Sequence, residues 1–139
     1  MQKLATTLLI ALGIASLPAV ADVASGQKLA DKYAAVAKTI DPNFKPSADA
    51  GRAFFTRKIL VHGKEISCSS CHTDNPANPG KHIKDGKPIK PLAPSANPKR
   101  FSDIDKVETN FEKHCLEVIG KDCTAQEKTD YITYLLSIK

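Results

Sequence analysis

The chain lacks several features that would assign it to a common class of proteins. Its longest apolar run, from Leu4 to Leu17, is shorter than the about 20 residues that a membrane-spanning helix requires. Its net charge of +5 is too mild to indicate a nucleic-acid-binding protein. It has no internal repeat, no low-complexity run and no pattern that predicts a β-strand. What remains is a chain of 139 residues, 42% of them apolar, which suffices for one small helical domain.

The first 21 residues have the pattern of an export signal. Lys3 precedes the apolar run, and small residues at 19–21 form an A-V-A cleavage site before Asp22. No cysteine follows this site, so no lipid anchor is expected. We therefore predict a signal peptide over residues 1–21, a single domain over residues 22–139, and a soluble periplasmic protein.

Apolar spacing and capping residues predict four helices in the mature chain. Apolar residues recur at helical intervals between residues whose side chains favour helix starts or stops. The predicted helices are residues 23–40, Ser47 to about Leu60, Ser102 to Gly120, and a last helix that begins with the capping box Thr124 and Glu127. The fold class is therefore all-α with long loops.

Residues 73–100 are predicted to form a long irregular loop. This segment holds six of the nine prolines and shows neither a helical nor a strand period. A loop of this length is unusual in a small domain unless it packs on something other than secondary structure. A large cofactor would supply that surface.

Cys68, Cys71 and His72 form a C-S-S-C-H sequence, which is the attachment signature of c-type haem. In such a site the two thiols add to the haem vinyl groups and the histidine becomes an iron ligand. We therefore expect one covalently attached haem c. Two alternatives are a zinc half-site completed by Cys115 and Cys123, and a redox-active dithiol, which no surrounding βαβ pattern supports.

The second axial position of that iron has no methionine available, because Met1 is the only methionine and leaves with the predicted signal. His62 is tied closely to Cys68 in sequence, and His82 lies in a polar loop. A histidine on an apolar helix face is more often an ordinary core residue than a ligand. Since the haem would form much of this core, we nevertheless predict that His114 is the second ligand. It falls on the apolar stripe of the third helix, which consists of Ile104, Val107, Phe111, His114 and Val118.

Cys115 and Cys123 flank Gly120 between the last two helices. Exported cysteines tend to be oxidised, so a disulfide between them is expected. Its plain role is to stabilise the fold. A second hypothesis follows from its neighbour His114: the bridge limits how far that imidazole moves relative to the iron.

Basic side chains supply candidate contacts for the haem propionates and for partners. Of the three arginines, Arg52, Arg57 and Arg100, the last is our first choice for a propionate because it lies between the proline-rich segment and the third helix. A second basic group is either a solvated loop surface or a docking surface for an acidic redox partner. It consists of Lys81, Lys84, Lys87 and Lys90.

Four stretches of the chain resemble the bacterial cytochrome c double prime family. They read GRAFFTRKI, CSSCHTDNPANPGK, PLAPSANPKRFSDIDKV and KHCLEVIGKDCTAQEK, and the resemblance extends across nearly all of the mature chain. The resemblance implies a class I cytochrome c-like fold with an extra N-terminal helix. It also implies His72 as proximal ligand, His114 as distal ligand and a disulfide between Cys115 and Cys123. A distal histidine that leaves the iron on reduction and takes up a proton is implied as well.

The related SHP-type haem proteins share the loop and the cysteine pair but have asparagine at the distal position. That resemblance implies a diheme cytochrome c as redox partner and oxygen or nitric oxide as a ligand of reduced iron. Because His114 stands at the distal position here, we predict an electron-transfer protein rather than an enzyme or a gas-binding protein. The alternatives are a gas-binding haem protein of the SHP type and a zinc-stabilised binding module. We expect no nucleic-acid partner and no membrane span.

Overall fold

The computed structural model describes residues 18–139, which fold mainly into helices with two short pairs of antiparallel strands. In chain order the elements are α1 Pro18–Ile40, α2 Ala48–Thr56, β1 Ile59–Val61, β2 Lys64–Ile66, α3 Ser69–His72, β3 Gly80–Lys81, β4 Pro88–Ile89, α4 Ile104–His114, a π-helical turn Cys115–Ile119, and α5 Ala125–Ser137. No helix in residues 18–139 is long and apolar enough to cross a bilayer.

The predicted signal peptide, residues 1–21, lies largely outside the described residues. Residues 18–21 are described as the first turn of α1, so this helix begins before its predicted start at residue 23. Pro18 is compatible with that position, because a proline in the first turn removes no intrahelical hydrogen bond. The predicted end at Ile40 is confirmed.

The prediction that the second helix continues to about Leu60 is wrong. The N-cap Ser47 is confirmed, since its hydroxyl accepts a hydrogen bond from the Ala50 amide at 3.1 Å, but α2 ends at Thr56. The next residues form the hairpin of β1 and β2, in which Ile59 pairs with Ile66. Its turn residues, His62 and Gly63, have φ values of 49° and 77°, the backbone that tight hairpin turns require. The prediction that the chain has no strand is therefore also wrong.

Residues 73–100 contain the second strand pair, β3 and β4, and otherwise consist of turns and irregular backbone. The two ends of the segment are joined at Pro76, whose carbonyl accepts hydrogen bonds from the amides of Leu92 and Ala93, both at 2.9 Å. Pro76 itself is fully buried. The segment is therefore fixed to the body of the molecule at its base.

The third predicted helix begins at a different cap from the predicted one and is not α-helical over its whole length. Asp103, and not Ser102, is its N-cap and accepts a hydrogen bond from the Lys106 amide at 3.0 Å. The Ser102 hydroxyl instead donates to the Lys99 carbonyl at 2.9 Å. The α-helical part ends at His114, and the π-helical turn continues to Gly120, whose left-handed φ of 81° ends the helical segment as predicted.

The last helix begins as predicted. Thr124 and Glu127 form a capping box in which each side chain accepts a hydrogen bond from the backbone amide of the other. Most of its predicted apolar face is buried: Tyr131, Tyr134 and Leu135 are buried, while Ile138 is partly buried. α5 packs against both α1 and α2 and therefore lies at the centre of the helical body.

The core is built around a chain of aromatic rings. Tyr131 has its ring 5.3 Å from that of Phe111 and 6.2 Å from that of Phe55, and Phe111 is 6.1 Å from Tyr33. Edge-to-face and tilted pairs at these distances stabilise the packing beyond area burial alone. The rings thereby connect α1, α2, α4 and α5.

Gly51 allows α2 to approach α5 closely. A β-carbon at this position would overlap the carbonyl group of Asp130 and would contact the Cβ of Tyr134 at 2.8 Å. Because the obstacle is backbone, it cannot move aside without shifting a helix. The glycine is therefore required for the α2–α5 contact.

We expect Gly51→Ala to destabilise the protein by about 1–3 kcal/mol or more, because the added methyl group forces the two helices apart. The measurement is urea unfolding of the haem-containing protein. The exposed Ala53→Gly variant in the same helix is the control, since it changes helix propensity alone and should cost about 1 kcal/mol. A Gly51→Ala protein that is more stable than the wild type would contradict the packing argument.

Candidate haem site

The two thiols and the histidine of the C-S-S-C-H sequence are brought together by one helical turn. The carbonyl of Cys68 accepts hydrogen bonds from the amides of Cys71, at 3.3 Å, and His72, at 3.1 Å. Both cysteines carry free, partly buried thiols. The structure therefore places two free thiols and an imidazole on one short segment.

Serine side chains hold this turn from its N-terminal side. The amide of buried Ser67 donates to the Ser70 hydroxyl at 3.0 Å, and the Ser67 hydroxyl lies 2.9 Å from that of Ser69. Thr73, directly after His72, has a φ of 61°, a backbone conformation that β-branched residues rarely adopt. The backbone therefore changes direction directly after His72, the last residue of the C-S-S-C-H sequence.

The opposite side of the turn rests on Gly80, at the start of β3. A β-carbon on Gly80 would overlap the Cys71 carbonyl oxygen and would lie 3.0 Å from the His72 α-carbon. Because residue 80 has no side chain, the backbone of Cys71 and His72 can lie directly against the β3–β4 hairpin.

His72 and His114 belong to different elements and lie within electrostatic range of each other. The pKa of His72 is lowered to about 4, first by burial and then by the nearby charges of His114 and Arg100. The pKa of His114 is also lowered, mainly by partial burial, although Glu117 opposes the shift. The three basic groups therefore face one common region of the molecule.

His114 lies on the predicted apolar stripe of its helix, but protein side chains do not cover it as they cover the earlier residues of the stripe. Val107 and Phe111 are buried, but the His114 side chain is 55% exposed, with its Nδ1 3.5 Å from a Glu117 carboxylate oxygen. The helical period places His114 on the side of the helix that carries Phe111. It lies one turn further along, where the helix has passed the aromatic core and the protein side chains leave its imidazole accessible.

Arg100 provides a buried donor without an acceptor. Its Nε is buried and has no hydrogen-bond partner within residues 18–139, and its guanidinium lies 5.1 Å from the centre of the Phe101 ring. Buried polar groups are almost always paired, so an orphaned guanidinium nitrogen indicates room for an anionic group. A haem propionate has that charge. Arg57, in contrast, is paired with Glu127 at 3.0 Å, and Arg52 is exposed.

Tyr131 is a further residue of this region that the sequence pattern did not assign to it. Burial raises the pKa of its hydroxyl to about 12, and the charge of Arg100 opposes that shift, while Cys68 is also within electrostatic range. The sequence placed Tyr131 only on an apolar face. The hydroxyl could have indicated a place in this region, because a buried tyrosine usually directs its hydroxyl toward a hydrogen-bond partner.

The structure excludes the zinc alternative in the form considered above. Cys115 and Cys123 are bonded to each other, with their α-carbons 5.6 Å apart, so neither is available to complete a zinc site with Cys68 and Cys71. No group of three or more metal-binding side chains occurs within the described part of the chain. The predicted disulfide is confirmed.

The remaining histidines lie in separate local structures. His62 is exposed in the turn of the β1–β2 hairpin. His82 has its Nδ1 2.9 Å from an Asp85 carboxylate oxygen in the β3–β4 hairpin. Neither is among the charges that shift the pKa of His72, whereas His114 is.

Comparison with known proteins assigns the family. A family described as a domain of unknown function, DUF1924, matches residues 41–135. Cytochrome c'' of Methylophilus methylotrophus is 51% identical over 124 residues, which cover 88% of this chain and 86% of that protein. The chain belongs to the cytochrome c'' family. Its cofactor is one covalently bound haem c, and the donor set of thiols, imidazoles and an arginine whose buried Nε has no partner within residues 18–139 fits that cofactor.

The family includes a second kind of haem protein. The cytochrome c-type protein SHP of Cereibacter sphaeroides is 38% identical over 133 residues, covering 94% of this chain and 97% of that protein. A structure of oxidised SHP, described as an oxygen-binding cytochrome c, is 36% identical and superposes with a TM-score of 0.70, covering 79% of this chain and 94% of that one.

The solved structures of cytochrome c'' from M. methylotrophus are more similar. The crystal structure of the oxidised protein is 50% identical and has a TM-score of 0.81, covering 85% of this chain and 98% of that chain. A solution structure, whose subject is the structural basis of haem-ligand detachment, is 51% identical with a TM-score of 0.76 and covers 84% and 95% of the two chains.

Removal of the disulfide by Cys115→Ala with Cys123→Ala should lower the free energy of unfolding by roughly 2–3 kcal/mol, because the unfolded chain loses a short closed loop. Both cysteines are also buried in the core, so the bridge stabilises packing as well as the loop. Chemical denaturation of wild type, wild type with reductant and the double variant measures the loss. Equal stability of all three would contradict a stabilising role.

Proposed function

We propose that the protein is an exported, periplasmic electron carrier whose haem c is attached through Cys68 and Cys71 and ligated by His72 and His114. The observation that carries this proposal is that the imidazole of His72, in α3, lies within electrostatic range of His114, at the end of α4, and of Arg100, whose buried Nε has no partner within residues 18–139. The haem supplies a one-electron redox centre. The protein supplies its attachment, two nitrogen ligands and, through Arg100, a positive partner for a propionate.

The fold in this proposal is of the class I cytochrome c type, with α1 as an addition at the N-terminus and residues 73–100 as a proline-rich segment around the cofactor. Residues 1–21 would be removed on export, leaving a single domain over residues 22–139. The protein is then a carrier rather than an enzyme.

His114 is the ligand that responds to the redox state in this proposal. Reduction removes one positive charge from the metal and weakens its attraction for a nitrogen donor. His114 would then detach, while His72 would be kept in place by the attachment of Cys68 and Cys71 to the haem. The support is the position of His114 at the last residue of α4, with its Nδ1 3.5 Å from a Glu117 carboxylate oxygen. The freed imidazole has a reference pKa of about 6.5 and would take up a proton.

Glu117 is suited to receive the detached side chain. Its carboxylate oxygen lies 3.5 Å from the His114 Nδ1, and its charge raises the pKa of that imidazole against the larger effect of burial. A protonated His114 would form an ion pair there. Electron uptake would in this way be coupled to proton uptake.

The alternative function is reversible binding of oxygen or nitric oxide to reduced iron, with electrons from a diheme cytochrome c. The observation in its favour is the 38% identity with SHP, whose solved structure is described as oxygen-binding. Detachment of His114 would open a coordination position for such a ligand. The two functions therefore share one ligand-exchange step and differ in whether a proton or a gas molecule is then bound.

We expect the visible spectrum to be low-spin in the ferric state and high-spin in the ferrous state near neutral pH, because His114 leaves on reduction. His114→Ala should make the ferric state high-spin as well. His82→Ala is the matched control, since it removes a partly buried histidine elsewhere, and should leave both spectra unchanged. A low-spin spectrum in both redox states of the wild type would contradict detachment.

The midpoint potential should fall as the pH rises toward the pKa of the freed His114 and become constant above it. The sign follows because only the reduced state binds the extra proton, so a lower pH favours reduction. Spectroelectrochemical titration from about pH 5 to about pH 8 covers the range in which a free imidazole titrates. His114→Ala should remove the slope. A wild-type potential that is constant over this range would count against proton coupling.

A further inference from the structure

The segment from Lys81, the last residue of β3, to Lys90, the residue after β4, is called the hairpin tip and carries a cluster of positive charge. Lys81, Lys84, Lys87 and Lys90 are all exposed. Asp85 forms an ion pair with Lys87 at 2.8 Å, and no ion pair within residues 18–139 involves the other three lysines. Three free cations therefore project from ten residues of chain.

The hairpin also presents an apolar side chain among these cations. Ile83 is 53% exposed, between Lys81 and Lys84 in the sequence. A small apolar centre with a charged rim is the usual composition of a specific protein–protein contact. A merely solvated loop would have no need of this isoleucine at its tip.

The tip is held in a defined conformation before any partner arrives. The His82 amide donates to the Lys87 carbonyl, and the Gly86 amide donates to the His82 carbonyl, both at 2.8 Å. The Asp85 carboxylate lies 2.9 Å from the His82 Nδ1 and accepts a hydrogen bond from the Lys87 amide at 3.2 Å. It also forms the ion pair with the Lys87 ammonium. A preorganised surface binds with a smaller loss of conformational freedom than a flexible one.

The hairpin is also joined directly to the haem-attachment turn. Gly80, its first residue, packs against the carbonyl of Cys71 and the α-carbon of His72. The four residue steps from Gly80 to Lys84 span at most about 13 Å at ~3.3 Å per residue. A partner seated on the tip would therefore be held close to the haem edge that carries the thioether bonds.

We propose that this hairpin tip, formed by Lys81, Ile83, Lys84 and Lys90, is the docking surface for an acidic electron-transfer protein. The proposal rests on the electron-carrier function proposed above and names its partner class. An acidic protein is favoured over a nucleic acid because the tip has no phenylalanine, tyrosine or tryptophan on which bases could stack. It is favoured over an anionic membrane because three free lysines and one isoleucine fall below the roughly four to eight basic residues typical of a membrane-binding cluster.

The test uses the haem-containing protein and reduced flavodoxin, an acidic redox protein, as the probe. Stopped-flow spectroscopy measures the second-order rate of haem reduction at low and at high ionic strength, where the Debye length falls from about 30 Å at 0.01 M to about 3 Å at 1 M. We compare the wild type with K81E/K84E/K90E and with K28E/K38E/K45E. The second variant reverses three exposed lysines outside the hairpin and changes the net charge equally.

At low ionic strength, the haem of the hairpin variant should accept electrons at least about tenfold more slowly than that of the wild type. The difference should vanish at high ionic strength. The control variant should be slowed much less. Ile83→Ser should slow the reaction by a smaller factor of about three that persists at high salt, because it removes an apolar contact. Equal slowing of the two charge-reversal variants, or no slowing of either, would overturn the docking surface.

A neutral small reductant, reduced lumiflavin, separates this proposal from the electron-carrier function. If lumiflavin reduces wild type and variants equally while flavodoxin discriminates among them, the docking surface is supported. If lumiflavin cannot reduce the wild type, the carrier function fails and the docking proposal fails with it. If flavodoxin rates are unchanged but binding to single-stranded DNA or to phosphatidylserine vesicles is lost in the hairpin variant, the partner class is wrong.

Discussion

The close contact of α2 with α5 at Gly51 is the constraint on which the rest of this structure depends. Because residue 51 has no side chain, the backbone of Asp130 can lie directly against α2, and Phe55 and Tyr131 are brought into one aromatic cluster. Tyr131 is also the residue that extends from this cluster toward Arg100. The position of the site is therefore set by a helix contact that contains none of the proposed ligands.

Features encoded within a few residues could be predicted from the sequence. The capping box at Thr124, the N-cap at Ser47 and the turn at Gly120 each depend on a side chain and its immediate neighbours. The C-S-S-C-H turn is of the same kind, since its own backbone hydrogen bonds bring the thiols and the imidazole together. The fold class also followed, because helical periodicity extends over most of the mature chain.

Features that depend on distant parts of the chain could not be predicted in the same way. Residues 59–61 have apolar spacing that continues the second helix, but the paired strand and the left-handed turn at His62 favour a hairpin. Helical periodicity predicted the side of the helix on which His114 lies. It could not show that the aromatic core of the protein ends before His114. Tyr131 was assigned to the core, and only the tertiary structure brings it near Arg100. Each of these features depends on what lies opposite a residue, which its own segment does not specify.

The π-helical turn after His114 has a consequence for how related sequences should be aligned. A π-turn is equivalent to an α-helical turn with one additional residue, and each α-helical residue advances the chain by about 100°. Loss of one residue within Cys115–Ile119 would thus convert the turn into ordinary α-helix and rotate everything after it relative to α4. A single-residue gap at this place in an alignment would mark a change of helix type within an unchanged fold. In relatives with such a gap, the segment between the two cysteines would have to follow a different path for the disulfide to form.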